Sequence, residues 1–447
     1  TISTTNMNRI SLYLVLFLFP TVGNTLYASD SIYKISYDEA IRIALGESYT
    51  VKYHKQEIEA THYSYLYTKS DFKPMLDFSM FTPSWNEGLE SISQVDGLPV
   101  YNSVGSMQVG GDLSFKYVLP TGGNFAFTSK MYWENYRTTL SQKDYEELER
   151  DQFYSRFALS FNQPIFTANR LKENMKVAQL DYQKSTSYFT RVQMDIVYNV
   201  AVSFYDVYEL AYELKINQDR LANSQEAYRI TKLKQETGNL PEGELLIAEI
   251  TVAQNEARVM ESEGKLEAAK DQFKLLVGLD LNRDIELIAD MEFETFLVDM
   301  QQAIDEALLN RMEIQENNID IELQKIEVKR AKREREIKGN ISPYYDFTGL
   351  STRNGGNVGQ LINSSFDNMA DRPSNRGIAF TVSYPIADWG RAKNLTRRAQ
   401  SRLEQRKLEW DNTKRTIERE IREIVRSVYE AEKRFRINRR NQEVAIE

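Results

Sequence analysis

The chain has no cysteine and only two histidines in 447 residues. Lacking cysteine, it has no disulfide framework, no thiolate metal site, no cysteine nucleophile and no cysteine to carry an N-terminal lipid. His54 and His62 stand eight apart with no acidic partner at metal-ligand spacing, so no metal site is expected there. Positive charge is not in excess: 56 Lys+Arg face 65 Asp+Glu, for a net charge of -9, which argues against a nucleic-acid binder. Long apolar runs are missing too. The run from Ile10 to Phe19 is too short for a membrane-spanning helix, which needs roughly 20 residues. Nothing further along is longer, so any insertion into a membrane falls to β-strands. No Gly-rich phosphate loop and no nucleophile–base pairing is found. An enzyme is not expected, and no cofactor is implied.

The N-terminus has a targeting pattern. Met7-Asn8-Arg9 is a short basic segment, Ile10 to Phe19 an apolar core ended by Pro20, and Thr21 to Ser29 a small-residue region with Ala28 a plausible cleavage position. This three-part pattern predicts a secretory signal peptide over residues 1–28, with Met7 as its start. A buried N-terminal helix or anchor is the alternative.

From Asp30 onward, helical and strand patterns alternate. Ile41, Ala44, Leu45 and Ser48 recur at helical spacing, predicting a helix from about Ser36 to Ser70. The period then drops to two. Leu76, Phe78 and Met80 alternate with polar residues, as do Leu113, Phe115, Tyr117 and Leu119; then come Phe125 and Phe127, and then Phe157, Leu159 and Phe161. Pro120-Thr121-Gly122-Gly123 predicts a turn. Ala168 to about Glu236 contains no Gly or Pro, roughly 100 Å of helix at about 1.5 Å per residue. Val200, Val207, Leu214, Leu221 and Tyr228 form a seam at intervals of seven, interrupted by Ser203 and Asn217. Gly238 to Gly243 breaks the helix, and a second one runs back from Glu244 to Val277, making a helical hairpin.

The same programme then recurs. Gln302 to Leu308 echoes Glu39 to Leu45 at an offset of 263, and Pro385 falls on Pro164 at an offset of 221, with Arg391 on Arg170 and Val428-Tyr429-Glu430 on Val207-Tyr208-Glu209. A helix leading to Pro343, a strand with Tyr345 and Phe347, a turn at Asn354-Gly355-Gly356, and a strand from Ile378 to Tyr384 fill the second copy. We divide the chain into a first repeat over 29–290 and a second over 291–447, the first richer by about 42 residues of strand region. A hairpin around Pro120 to Gly123 accounts for much of the excess; either it enlarges a barrel or, the preferred reading, it lies outside one, and the sequence does not decide between them. The second copy stops short of its own helical turn, so a longer natural C-terminus is expected.

Four to six strands per chain cannot close a membrane barrel, which needs about 8. The expected fold class is mainly α with membrane β-strands: a barrel shared between chains, continued by long helices arranged as a hollow cylinder. A soluble sandwich joined to a coiled coil is the alternative.

The residues also carry a family likeness. SFNQPIF (Ser160 to Phe166), VSYPIADWGR (Val382 to Arg391), EAIRIAL (Glu39 to Leu45) and TGNLPEGELLIAE (Thr237 to Glu249) resemble TolC-type outer-membrane efflux proteins, in the right order and twice over. The resemblance implies a homotrimer with a 12-stranded outer-membrane barrel and a periplasmic α-helical tunnel. It further implies a passive exit duct that meets a periplasmic adaptor protein coupled to an inner-membrane transporter. Gly238, Leu240, Glu244 and Leu245 match the family's hairpin tip, which meets the adaptor and gates the tunnel. Glu244 matches an acidic gate position; stabilising its helix start through the dipole is the other reading. Arg391, Arg398, Arg402 and Arg406 share one helix face below Pro385, and Lys329 to Lys338 is crowded with basic residues. These either contact lipid headgroups or line the upper tunnel, or they form a solvated face. Trp85, Tyr132, Trp133, Tyr136 and above all Trp389 are candidates for interfacial aromatic belts, with core packing the alternative. The rival function is a periplasmic adaptor, which normally has one helical hairpin and flanking β-domains.

Overall fold

The computed structural model describes residues 32–92, 100–140, 146–289, 297–353 and 357–446. The expected signal peptide, the turn at Asn354-Gly355-Gly356 and the boundary at 290/291 lie outside the described residues. In chain order the elements are β1 (Tyr33–Ser36), α1 (Tyr37–Glu47), α2 (Tyr49–Ser70), β2 (Met75–Ile92), β3 (Val100–Val118), β4 (Asn124–Leu140), β5 (Glu146–Ile165), α3 (Arg170–Glu236) and α4 (Glu242–Val277). They continue with β6 (Ile285–Ile288), α5 (Met300–Asn310), α6 (Met312–Arg333), β7 (Lys338–Arg353), α7 (Val358–Asp371), β8 (Asn375–Ser383) and α8 (Arg391–Ile446). No helix among the described residues is long and apolar enough to cross a membrane.

The offsets seen in sequence recur in the element bounds. Adding 263 to the bounds of α1 and α2 gives those of α5 and α6, and the start of β2 becomes the start of β7. Adding 221 to the start of α3 gives the start of α8. The difference, 42, is close to the span of the β3–β4 hairpin, Val100 to Leu140.

The helix expected over 36–70 is two helices. Ser48 sits between them in an extended conformation (φ -53°, ψ 132°), its N–H closing α1 on Ala44 and its carbonyl accepting from Lys52. Arg311 does the same between α5 and α6 (φ -65°, ψ 133°). The helix expected to lead to Pro343 ends at Arg333, and Pro343 lies inside β7 opposite Ile378. Pairing with β5 skips Pro343, which has no N–H to give.

The described residues form two compact units, one drawn from 32–43 and 200–289 and the other from 44–199 and 297–446. In the first, β1 and β6 pair in parallel, and Phe204, Phe273, Val277, Ile35 and Ile285 are buried together with Ala40. Tyr37 meets Phe204 edge-on at 5.7 Å. Along α3 the buried positions Val200, Phe204, Val207 and Asn217 continue the seam at coiled-coil spacing. Asn217 does not interrupt it: the side chain is buried and donates to Ser262 of α4 at 2.7 Å.

The second unit holds one antiparallel sheet in the order β2-β3-β4-β5-β7-β8. The β3–β4 hairpin, whose place the sequence left open, lies within this sheet, paired to β2 on one side and β5 on the other. Cross-strand neighbours share a face, so the registers sort the side chains. Leu76, Phe115, Phe127, Leu159 and Tyr345 form one apolar row; Phe78, Leu113, Phe157 and Phe347 belong to the next, in which β4 contributes Ser129. The opposite face carries Asp112, Lys130, Arg156 and Thr348 in a single row.

Helix α7 covers part of the apolar face. Leu361, Ser365 and Met369, four apart, are its buried stripe. Ser365 meets Ser155 at 2.7 Å, and its backbone carbonyl takes the space a Cβ at Gly349 would need. Phe366 stacks on Phe157, and Asn368 accepts the Leu350 N–H at 3.2 Å, where β7 runs on past β8.

Four helical segments lie side by side in this unit. His62 and Tyr65 of α2 lie against Tyr182 of α3. Lys184 and Arg191 of α3 bond Asp320 and Glu316 of α6 at 2.6 and 3.0 Å. α6 meets α8 through Val328, Ala331 and Ala399, with Arg311 to Glu420 at 2.9 Å.

Candidate functional site

The helical turn in the first unit brings together all four expected tip residues. Gly238 adopts φ 76°, its N–H donates to Gln235 and the N–H of Asn239 to Lys234, both at 2.9 Å, which is the Schellman pattern that a residue without Cβ permits at low cost. Thr237 Oγ1 turns back onto Lys234 at 2.9 Å and accepts from Asn239 at 3.0 Å. Pro241 then sets the entry to α4, which starts at Glu242 rather than Glu244. Leu240 and Leu245 are half-buried, whereas Glu244 is exposed and makes no ion pair among the described residues. Leu233, Leu246, Ile247 and Ile250 leave apolar side chains exposed beside it.

At the start of α8 in the second unit, Trp389 is 97% exposed with φ 50°, followed by Gly390 at φ 88°. A left-handed aromatic residue costs about 1–2 kcal/mol and persists only where its surroundings impose it. Here Asp388 imposes it: its carboxylate accepts the N–H groups of Gly390 and Ala392, both at 3.0 Å. Those two bonds hold the Asp388 carboxyl below its ordinary range. Core packing is excluded for Trp389 within this chain. The start of α3 has a counterpart that the sequence reading missed: Phe166, 70% exposed at φ 59°. An aromatic residue just past a strand-ending proline was the available signal.

Arg391 lines a cleft with Glu334, Lys338 and Asp388. Lys338, bonded at 3.0 Å, holds the Glu334 carboxyl below the usual range, with help from Arg170 and Arg391. Arg398, Arg402 and Arg406 stay on the exposed face of α8, and they are not gathered with Arg391 into one site. The basic run on α6 is partly neutralised. Arg330 and Arg333 both grip Glu173 of α3, so these two are inter-helix clamps and not free lining.

The polar face of the sheet holds groups that alternation hinted at without pairing them. Glu134 is buried between Gln108 and Gln152, the three in one row across β3, β4 and β5, and both amides donate to it. Asp346, also buried, takes the Arg156 guanidinium and accepts from Thr348 at 3.1 Å. Buried polar groups paired in this way are satisfied without water. Trp85 and Trp133 lie on the apolar face, and Tyr132 and Tyr136 on the polar face. Among the described residues no three acidic, histidine or cysteine side chains are grouped to hold a metal ion.

The described residues present a two-faced sheet, long helices and an exposed helical turn. The family model for outer membrane efflux proteins matches residues 40–279, more than half of the chain. The chain belongs to the outer membrane efflux protein family. It is an outer-membrane transport protein with a large periplasmic helical extension, and its family and fold are those of channels. No curated protein matches it in sequence. Among solved structures it is similar to CusC, with a TM-score of 0.61 and 14% identity over 92% of this chain and 79% of that one. It is similar too to VceC of Vibrio cholerae, at 0.59 and 13% over 91% and 81%. The CmeC outer membrane channel of Campylobacter jejuni gives 0.58 and 14% over 85% and 68%. At such identities the likeness is one of fold.

Proposed function

We propose that this efflux-family protein is the outer-membrane exit duct of a tripartite efflux or secretion system. The observation that carries the reading is the sheet: six strands, one apolar face, one polar face, and two bare edges at β2 and β8. An open edge in lipid leaves backbone N–H and C=O groups unsatisfied at several kcal/mol each, so the sheet closes with copies of itself. Three chains then share one barrel, and their helices form a tunnel in the periplasm. Transport through it is passive, powered by an inner-membrane transporter that is reached through a periplasmic adaptor. The α3–α4 turn with Gly238, Leu240, Glu244 and Leu245 is the adaptor contact and the gate, in keeping with its exposed apolar side chains. Trp389 and Arg391 sit at the lipid boundary, and Arg398 and Arg402 face the upper tunnel. The organisation over 29–290 and 291–447 is an internal duplication.

The test is to express the full-length gene with its own leader, isolate outer membranes and weigh the unheated, detergent-extracted particle. A membrane-bound particle of three chains that conducts ions in a planar bilayer supports the duct. A soluble periplasmic monomer overturns it.

A further inference from the structure

The β3–β4 hairpin is the feature that the shared duct does not by itself explain. Two independent observations make it part of the same sheet. First, among the described residues β2 bonds to β3 and β4 bonds to β5, so no sheet of β2, β5, β7 and β8 forms unless both ladders are broken. Second, the hairpin carries the apolar band onward in register. Phe115 and Phe127 sit between Leu76 and Leu159, and Tyr117 and Phe125 extend the row of Phe161. An appendage in water needs no apolar face aligned with a membrane band.

The edges agree. Phe78 on β2 and Ile378 on β8 are 71% and 78% exposed, as edge residues awaiting a neighbour are. β2 and β8 run in opposite directions, so the edge of one chain meets that of the next in antiparallel pairing, as membrane barrels require.

We propose that three copies of this chain close an 18-stranded barrel, β2 of each copy pairing with β8 of the next, with β3–β4 as lumen-lining wall. The proposal rests on the trimeric duct reading above. At equal tilt an 18-stranded barrel is about half again as wide as a 12-stranded one. Gln108, Lys130 and Glu134, from the hairpin, then face the lumen.

The chain's lack of cysteine makes the test direct. Single cysteines at 115, 127 and 159 (Phe115→Cys, Phe127→Cys, Leu159→Cys) and at 116, 126 and 160 (Lys116→Cys, Ala126→Cys, Ser160→Cys) are spin-labelled in the full-length protein in bilayers. Collision with oxygen, which concentrates in lipid, is compared with collision with a water-soluble nickel chelate. The expected result is an oxygen-to-nickel ratio several-fold higher in the first set than in the second, on all three strands alike. Lipid contact at 159 with water contact at both 115 and 127 overturns the 18-stranded wall while leaving a narrower duct standing. Water contact at all three sinks the duct reading and the proposal with it. An averaged electron-microscopic image of the native particle gives the strand count: 18 supports the proposal and 12 refutes it.

Discussion

Asn217 and Ser262 are bonded at 2.7 Å inside the α3–α4 hairpin, a polar pair buried in an otherwise apolar seam. A buried polar residue at such a position sets helix register at some cost in stability. Ser262 also donates to the Arg258 carbonyl at 2.9 Å, so the bond between the two side chains is one member of a small network. Asn217→Ala removes one buried bond and should cost about 1–2 kcal/mol. Asn217→Ala combined with Ser262→Ala should cost less than the sum of the two single changes. Thermal unfolding followed by circular dichroism over the double-mutant cycle gives the coupling; strict additivity would mean that the pair does not interact.

Glu334 gives the strand–helix junction a pH dependence. Its carboxyl is held low by Lys338, Arg170 and Arg391. A depressed folded pKa contributes stability above the unfolded value, about 4.3, and loses it as pH falls through the folded value. Protease resistance of the Lys338 segment should therefore hold from pH 7 down to about 4.3 and decline below it. Glu334→Gln should reduce resistance at pH 7 and flatten the decline. An unchanged acid profile in the variant would assign the effect elsewhere.

Trp389, almost wholly exposed beside Asp388, should sit at headgroup depth. With Trp85, Trp133 and Trp410 changed to Phe, its fluorescence should be quenched by lipids brominated near the headgroup. Quenching by aqueous iodide alone would place it in water. Trp389→Gly should keep the left-handed backbone and the α8 start while losing the lipid signal.

Glu244 is exposed at the tip without an ion pair among the described residues. If it holds the gate shut in the full-length trimer, Glu244→Gln should raise single-channel conductance several-fold. A change in helix stability at constant conductance would leave it as a dipole partner of α4.

Much of the fold was legible in residues. The Gly- and Pro-free run marked α3 to within two residues at its start, and Gly238 and Gly278 marked where α3 and α4 stop. Alternation assigned each strand its faces. It could not assign neighbours, because period two says which way a side chain points and nothing about which strand lies beside it. Hence the sequence left open whether the β3–β4 hairpin joins the other strands, and the registers place it among them. The breaks fall on Ser48 and Arg311, neither a proline nor a glycine, with Gly46 beside the first alone; an extended ψ at one residue suffices to end a helix. β1 and β6 are four residues each, too short for a pattern to register. At the site, the tip was readable because its turn chemistry is local. The pairings of Glu134 and Asp346 were not, because each partner lies on another strand.

The β3–β4 hairpin has a consequence for how such a chain changes over time. A pair of strands leaves from one side of the sheet and comes back to it, so β5 resumes with its direction unaltered, and α3 and α8 still begin at matched positions. In the proposed barrel a single added strand would send every later helix to the wrong side of the membrane. Its circumference would then be inheritable only in even steps per chain, each step leaving the helices below untouched. In that proposal bore and docking end are separable traits.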